Sequence, residues 1–382
     1  MGLRLPASTH VPGFLRLFAG IAAVLLGLAG CVSPSERVEV DPDRARHAIV
    51  TLMPAKVADA QGWADDIFAA FDALEIKPTA QNICAVLAVT EQESTFQVDP
   101  AVSGLPAMAR REIDGRAARF GIPKLLVSGA LALPSPNGQS YSERLSKVKT
   151  ERELSLIFED FIGMVPLGQR LFGSLNPVRT GGPMQVSIAF AHEHADTHKY
   201  PYSDSPDIRH EVFTRRGGLY FGIAHLLDYP VAYDRMLYRF ADFNAGHYAS
   251  RNAAFQNAVT IASKTKLALD GDLILYGRDD EPSKTEQTVR TLVSRLEMND
   301  EQIHRDLERG KDEAFENSKL YRRVFELADE VQGSAVPRAL VPRIRLESVK
   351  ITRELTTDWF AQRVDQRYRK CLARGSAATT SP

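Results

Sequence analysis

Apolar residues recur at the spacing of an α-helix along most of this chain. The clearest case is 79–94 (TAQNICAVLAVTEQES), where Ile83, Val86 and Leu87 fall on one stripe. The same spacing appears in 105–122, 151–165, 219–227, 231–243, 298–310, 317–331 and 351–372. The stretch 267–282 instead suits a short strand or a loop. The pattern therefore predicts a mainly α fold.

The segment 1–30 has the pattern of a processing signal. Arg4 and Arg16 precede the apolar run 17–30, which is too short to span a bilayer comfortably and ends in small residues. The sequence LAGC that ends in Cys31 resembles the lipobox of bacterial lipoproteins. This resemblance implies removal of the signal and attachment of lipid, including palmitate, to the cysteine. A plain secretory signal, or an uncleaved anchor with an incidental cysteine, is the alternative.

Lipidation would also fix where the protein works. Val32, and not Asp, follows the cysteine, which by resemblance to lipoprotein sorting implies an outer-membrane anchor with the protein facing the periplasm. Several acyl chains make such an anchor stable. The polar, proline-containing segment 31–45 then serves as a flexible tether through which the folded part reaches the cell wall.

One carboxylate stands out as a candidate proton donor. At about 100° per residue, Glu93 falls beside Val86 and Val89, whereas Glu91 falls on the opposite flank of the helix. Glu93 also lies in the predicted last turn, where unpaired carbonyl groups disfavour another negative charge. Burial acts in the same direction, so we expect a raised pKa, which suits a general acid. The alternative is a helix-terminal Glu in water.

Three separated segments resemble the active-site motifs of soluble lytic transglycosylases and goose-type lysozymes, in the same order. They are EQESTF at 91–96, GGPMQV at 181–186 and DFNAGHY at 242–248. The resemblance makes Glu93 the catalytic residue. It also implies the substrate-binding residues Ser94, Met184, Gln185, Phe243, Asn244 and Tyr248.

The resemblance implies cleavage of the MurNAc–GlcNAc β-1,4 bond in peptidoglycan glycan strands. Glu93 would protonate the glycosidic oxygen and then take a proton from the C6 hydroxyl of the sugar, which forms a 1,6-anhydro ring. Only one carboxylate is required, and neither Asp99 nor Asp242 is a clear second one. We therefore favour a transglycosylase over a lysozyme and expect no cofactor.

The second motif predicts a helix start. Thr180 can cap a helix with Pro183 in its first turn, because the missing N–H of proline has no partner there anyway. That helix would continue through MQVSIAFAHE and hold Gln185 near its N-terminal end. The corresponding motif of the lytic transglycosylases has Leu at the position of Pro183.

The third motif predicts a helix end. Gly246 can adopt the left-handed conformation that stops a helix, which would leave Asn244 and Tyr248 at a turn facing the groove. Most family members have Tyr in place of Phe243. The missing hydroxyl would have to come from Tyr220 or Tyr248, or else the protein binds peptidoglycan or assists envelope assembly without catalysis.

The motifs suggest a domain organisation. We predict a lysozyme-like domain at 46–262, with a folded helical insertion at 104–181 that covers one side of the groove, and a helical C-terminal extension at 263–382. Trp359 and Phe360 in the extension are predicted core residues. The chain also resembles a group of uncharacterised bacterial lipoproteins defined by a domain of unknown function.

Charge and cysteine usage narrow the partners. The formal net charge is −1, and loss of the two signal arginines takes it to −3, so we expect no nucleic-acid partner. Lipidation of Cys31 leaves Cys84 and Cys371, and the oxidising periplasm invites a disulfide between them. Alternatively, Cys84 is a small buried apolar residue. The sequence identifies no protein partner.

A histidine-rich run offers a third class of function. His192, His194, Asp196 and His198 resemble the H-x-H-x-D-H motif of metallo-β-lactamases, and such side chains suit a zinc hydrolase. The last histidine is one residue too far along, and the preceding residues predict helix. We therefore predict a polar helix end in water and no metal site.

Overall fold

A helix buried on all sides lies at the centre of the first hydrophobic core. The computed structural model describes residues 41–202, 207–275, 281–346 and 355–379. The predicted signal, Cys31 and all but five residues of the tether lie outside these ranges. The first helices are α1 (Pro42–Leu52), α2 (Ala60–Ala73) and α3 (Ala80–Glu93). The fold is mainly α-helical, as predicted.

The central helix α3 begins and ends as the sequence predicts. The Thr79 side chain accepts a hydrogen bond from the Asn82 N–H at its start, and Ser94 follows its last residue. However, the predicted single apolar stripe is too narrow. Every residue from Ile83 to Thr90 is buried, so neighbouring helices cover α3 on all sides.

The segment between the first two motifs is helical, as predicted. It contains α4 (Leu105–Arg119), α5 (Lys124–Leu131), α6 (Tyr141–Lys147), α7 (Glu151–Gly163) and α8 (Gly168–Phe172). Capping boxes begin α6 and α7, at Ser140 with Glu143 and at Thr150 with Glu153. These boxes set the two helix starts locally.

The second motif forms a hairpin, so the predicted helix start at Thr180 is wrong. Strand β1 (Thr180–Gly181) pairs antiparallel with β2 (Val186–Ser187). Helix α9 (Ile188–Thr197) begins only after this hairpin, and the Ser187 side chain caps it by accepting from the Phe190 N–H. Backbone conformation is the reason, because Gly182 (φ 71°) and Gln185 (φ 51°) have positive φ and cannot continue a helix.

The next four helices include one that lies at the centre of this part of the fold. They are α10 (Ile208–Val212), α11 (Arg215–Leu227), α12 (Met236–Ala245) and α13 (Ala249–Ser263). Helix α11 is buried along most of its length and packs against α2, α3, β2 and α12. It therefore connects the parts of the chain that carry the three motifs.

The C-terminal part forms a second hydrophobic cluster and then returns to the first. The second cluster contains buried residues between Ala254 and Val336. It draws on α13, α14 (Lys284–Arg290), α15 (Val293–Leu296), α16 (Asp300–Glu308) and α17 (Lys319–Gln332). After the β3 (Arg345–Leu346) and β4 (Leu355–Thr356) pair, α18 (Thr357–Thr379) packs on α3, α12 and α1. Phe360 is buried in the first cluster and Trp359 packs against that cluster, as predicted.

A disulfide joins the first and last parts of the core. It links Cys84 in α3 to Cys371 in α18, whose Cα atoms lie 5.5 Å apart. Both residues are buried. Over the described ranges, no helix is both long enough and apolar enough to span a membrane.

Candidate functional site

Glu93 is the last residue of the buried helix α3 and is itself partly exposed. The backbone turns sharply straight after it, because Thr95 (φ 51°) and Phe96 (φ 59°) both have left-handed conformations. Such conformations are unfavourable for residues other than glycine and often occur at functional sites. The ring of Phe96 packs edge-on against Trp63, with ring centroids 5.4 Å apart. Tertiary packing thus holds the strained turn beside Glu93.

The neighbours of Glu93 have structural partners. Glu91 Oε1 lies 3.6 Å from Arg367 Nε of α18. Ser94 is buried, and its hydroxyl donates to the Thr90 carbonyl at 3.0 Å. The prediction that Ser94 contacts substrate is therefore wrong in this structure, because its side chain is used to end the helix.

The hairpin turn presents Gln185 and buries Met184. Gln185 is partly exposed, and its Nε2 donates to the Gly182 carbonyl at 3.2 Å. Met184 is fully buried and packs against Gly222 of α11. The predicted contact between Met184 and substrate is therefore wrong, since this side chain holds the hairpin against α11.

Glycine residues on α11 allow this close approach, a feature that the sequence prediction missed. A Cβ atom on Gly218 would lie 2.5 Å from Pro183 Cδ, and one on Gly222 would lie 2.5 Å from Met184 Sδ. The two glycines are four residues apart, so they lie on one face of the helix. This spacing within RRGGLYFGIAH was the available signal.

The third motif ends α12 as predicted. Gly246 has φ 105°, a positive value that glycine tolerates, although its ψ of 152° is not the predicted left-handed helical value. Asn244 is exposed, and its Oδ1 accepts a hydrogen bond from Thr357 Oγ1 at 2.9 Å. Phe243 is partly buried, and its carbonyl oxygen lies 3.2 Å from His225 Nε2 of α11. The motif is thereby tied to both α11 and α18.

Tyr248 does not face a groove, so this prediction is wrong. The residue is buried, with φ 65°, at the start of α13. The guanidinium of Arg251 lies over its ring at 4.2 Å from the centroid. Tyr220, the other proposed source of a hydroxyl, is also buried, and burial raises its pKa to about 12.

Asp242 is a structural carboxylate. It is fully buried and accepts hydrogen bonds from the Tyr229 and Tyr233 hydroxyls and from the Tyr248 and Ser250 backbone N–H groups. Burial raises its pKa to about 6, although these hydrogen bonds act in the opposite direction. It therefore holds the start of α13 and is unsuited to serve as a second catalytic carboxylate.

The histidine run forms a different cluster from the one its spacing suggested. His194 and His198 stack at 4.3 Å between ring centroids, and His194 Nε2 lies 3.5 Å from Asp228 Oδ2. Donor atoms of these three residues all lie within 4.8 Å of one another. His192 and Asp196 are exposed and do not belong to this group. Asp228, at the end of α11, was missed because it is thirty positions away from the run.

These features define a mainly α-helical protein with a partly exposed carboxylate at the end of a buried, disulfide-linked helix. The chain belongs to the family described as "Protein of unknown function (DUF1615)", whose model matches residues 56–374. This confirms the expected membership of a group defined by a domain of unknown function. The chain is 55% identical over 356 residues to the "Uncharacterized protein YaiW" of Escherichia coli strain K12, a match that covers 92% of this chain and 96% of that protein. No solved structure matches this chain.

Proposed function

We propose that this protein is a peptidoglycan lytic transglycosylase in which Glu93 is the general acid and base. The observation that carries this proposal is the position of Glu93. It is partly exposed at the end of an otherwise buried helix and is followed by two residues with strained backbone conformations. We expect the partial burial of this residue to favour the protonated form of its carboxyl group.

In the proposed reaction, Glu93 donates its proton to the glycosidic oxygen, and the C1–O bond of MurNAc breaks. Positive charge develops on the MurNAc ring in the transition state. The C6 hydroxyl of the same sugar then bonds to C1, and its proton passes to the Glu93 carboxylate. The products are a GlcNAc hydroxyl and a 1,6-anhydroMurNAc end, so no water is consumed.

Two other carboxylates of the motif segments, Asp242 and Glu91, have structural partners, which supports a mechanism with one acid. Asp242 is occupied by four hydrogen bonds, and Glu91 lies near Arg367 on the opposite flank of the helix. A hydrolytic mechanism needs a second carboxylate to activate water or to stabilise the sugar cation. Neither residue is arranged for that role.

Gln185 and Asn244 are the proposed glycan contacts. Gln185 presents an amide at the hairpin turn and Asn244 presents one in the last turn of α12, and amides suit the hydroxyl and acetamido groups of the sugars. The packing of α11 against α3, β2 and α12 supports the grouping of their segments with Glu93. Phe243, in place of the usual Tyr, favours a second candidate, a lipoprotein that binds glycan without cleaving it.

We further propose that lipid on Cys31 anchors the protein in the outer membrane, facing the periplasm. The support is the LAGC sequence at the end of the apolar run and the polar tether that follows it. The anchor and the glycan substrate would then lie in the same compartment.

Digestion of purified peptidoglycan tests the enzymatic proposal. We expect the wild type to release soluble muropeptides and Glu93→Gln to release them at least about 100-fold more slowly, since positioned acids contribute about that much. Glu91→Gln is the matched control on the same helix and should retain activity. Binding to sacculi without release by any of the three proteins would contradict catalysis and favour the non-catalytic candidate.

A further inference from the structure

The helical insertion contains a large cavity that the proposed glycan site does not use. Its volume is about 780 Å³, and it lies between α4, α5, α6, α7 and the segment 175–178. Pockets for small ligands have volumes of about 300–1,000 Å³. Glu93, Gln185 and Asn244 are absent from its walls. The cavity is therefore a separate candidate binding site.

The walls of this cavity are almost entirely apolar. Of its lining side chains, only those of Glu112, Arg116 and Glu151 are charged, and Arg116 Nε donates to Glu112 Oε1 at 2.6 Å. Ordered water needs two to four polar partners, so water is a poor occupant of such a space. An apolar ligand is the chemistry that these walls favour.

One residue of the cavity wall has a buried hydroxyl without a hydrogen-bond partner. Tyr141 lines the cavity and is fully buried, and its hydroxyl makes no hydrogen bond within the described parts of the chain. Its ring is held edge-on against Phe161, with centroids 5.2 Å apart. An unpaired buried hydroxyl costs about 1–3 kcal/mol. Less than 1 Å² of this hydroxyl is exposed, so a ligand oxygen would remove that cost once the surrounding side chains shift to admit it.

The mouth of the cavity is also apolar. Phe120 and Leu126 line it, yet are 80% and 63% exposed, and Leu175 is 49% exposed. Soluble proteins rarely leave several large apolar side chains exposed together unless they contact a ligand, a partner or a membrane. Here the exposed side chains are continuous with the cavity walls, so they provide an apolar entrance.

We propose that this cavity binds one long acyl chain. The hydrocarbon fills the apolar space, and a carbonyl or carboxyl oxygen accepts a hydrogen bond from the Tyr141 hydroxyl. Free fatty acids and membrane lipids both contain this chemistry. The exposed residues at the mouth would let the chain enter from a micelle or bilayer surface.

Calorimetric titration of the Cys31→Ser protein with palmitic acid tests this proposal, because that variant lacks the proposed lipid of its own. We expect one molecule to bind per chain. Tyr141→Phe should weaken binding by about tenfold, the effect of losing roughly one hydrogen bond. Its melting temperature should not fall, since the hydroxyl has no protein partner.

Ala109→Phe places a large side chain into the cavity and should abolish binding in protein that still melts cooperatively. In a parallel arm, vesicles of phosphatidylethanolamine and phosphatidylglycerol replace the fatty acid. Extraction of one lipid per chain identifies a membrane source and supports the proposal. Three results would overturn the proposal. They are absence of binding in both arms, equal affinity of wild type and Tyr141→Phe for palmitic acid, and adsorption to vesicles without extraction of lipid.

A second, independent observation points to a metal site at His194, His198 and Asp228. His194 is only 7% exposed, and neither of its ring nitrogens has a hydrogen-bond partner in the described chain. His198 Nδ1 lies 2.9 Å from Thr197 Oγ1, which leaves its Nε2 for another ligand. Two imidazoles, one from α9 and one from the residue directly after it, and a carboxylate form a common zinc set. We infer that these three residues bind Zn²⁺.

Zinc titration with a competing chromophoric chelator tests this inference on the whole protein. We expect one zinc ion per chain and a loss of affinity of more than about 100-fold in His194→Ala, since even outer partners of a metal site contribute about 10–100-fold. His192→Ala, on the same helix, is the matched control and should bind like the wild type. Substoichiometric zinc, or equal losses in both variants, would overturn the assignment.

Discussion

Glu93 and Asp242, the carboxylates of the first and third motifs, have different surroundings. Glu93 is partly exposed at a helix end, whereas Asp242 is fully enclosed and accepts hydrogen bonds from two tyrosines and two backbone N–H groups. The first arrangement suits proton transfer to a ligand. The second arrangement fixes the start of α13. Asp242 therefore has a structural role, although it lies in a segment that resembles an active-site motif.

Asp242→Asn should change how stability depends on pH. The pKa of Asp242 in the folded protein, about 6, lies above its ordinary value of 3.8, so the folded state binds the proton more tightly. This contribution to stability is complete below about pH 4 and is lost as the pH rises through 6. Because the variant lacks it, its stability relative to the wild type should rise by roughly 2–4 kcal/mol between about pH 4 and pH 7.

Denaturant unfolding of both proteins at the two pH values measures this difference. A stability difference that is independent of pH, or that moves in favour of the wild type as the pH rises, would mean that the hydrogen bonds outweigh burial at Asp242.

The sequence predicted the roles of single residues well where neighbouring residues determine the local structure. It predicted them poorly where tertiary packing determines it. The cap at Thr79 and the helix end at Glu93 depend on neighbouring residues, and both could be read from the sequence. Met184 is buried against Gly222, which is distant in the sequence. Its role could not be predicted, because periodicity shows that a side chain is apolar but not which surface covers it.

At the scale of elements, the hairpin at 180–187 shows how tertiary packing overrides local pattern. A Thr180 cap with Pro183 in the first turn predicted a helix start, but positive φ at Gly182 and Gln185 turns the chain back. Burial of Met184 against Gly222 then holds the hairpin on α11. Helices α4 and α7 of the insertion and helix α18 were predicted, because their apolar spacing and their packing agree.

Gly222→Ala should loosen the contact between the hairpin and α11. The added Cβ would lie 2.5 Å from Met184 Sδ and 2.6 Å from Met184 Cβ, so the hairpin must shift. We expect a loss of about 1–3 kcal/mol in the free energy of unfolding, typical of overpacking. Gly115→Ala is the control, because Gly115 is exposed in α4 with open space around it.

The control should be more stable than the wild type by about 0.5–1 kcal/mol, since alanine favours a helix interior. Urea titration measures both changes. If Gly222→Ala were as stable as the wild type, the close packing of Met184 on α11 would be wrong.

The disulfide between α3 and α18 should stabilise the folded protein. Cys84→Ala with Cys371→Ala should lower the free energy of unfolding by about 2–5 kcal/mol. Thiol titration of the unfolded, unreduced protein provides the direct check. No free thiol from either cysteine is expected, whereas two reactive thiols would contradict the bridge.

At the scale of the whole molecule, the two hydrophobic clusters meet around α13. Buried Arg251 of α13 stacks on Tyr248 and donates to the carbonyl oxygens of Gly310 and Asp312, which belong to the C-terminal part. The predicted division of the chain near residue 262 rested on the end of the motif resemblance. The sequence could not reveal this buried arginine, because Arg is usually exposed.

The lipid anchor is a prediction at this scale. Wild-type protein expressed with its signal should incorporate radioactive palmitate and fractionate with the outer membrane. Cys31→Ser should incorporate none and appear in the soluble periplasmic fraction. Equal palmitate incorporation by both proteins would contradict lipidation at Cys31.

Mass spectrometry of the muropeptides released from purified sacculi tests the proposed function most directly. The wild type should produce 1,6-anhydroMurNAc ends, lighter than hydrolysed ends by one water molecule, and Glu93→Gln should not. Hydrated ends would identify a lysozyme instead. Anhydro ends made equally by Glu93→Gln, or no product from either protein, would contradict the assignment of Glu93 as the acid that cleaves glycan.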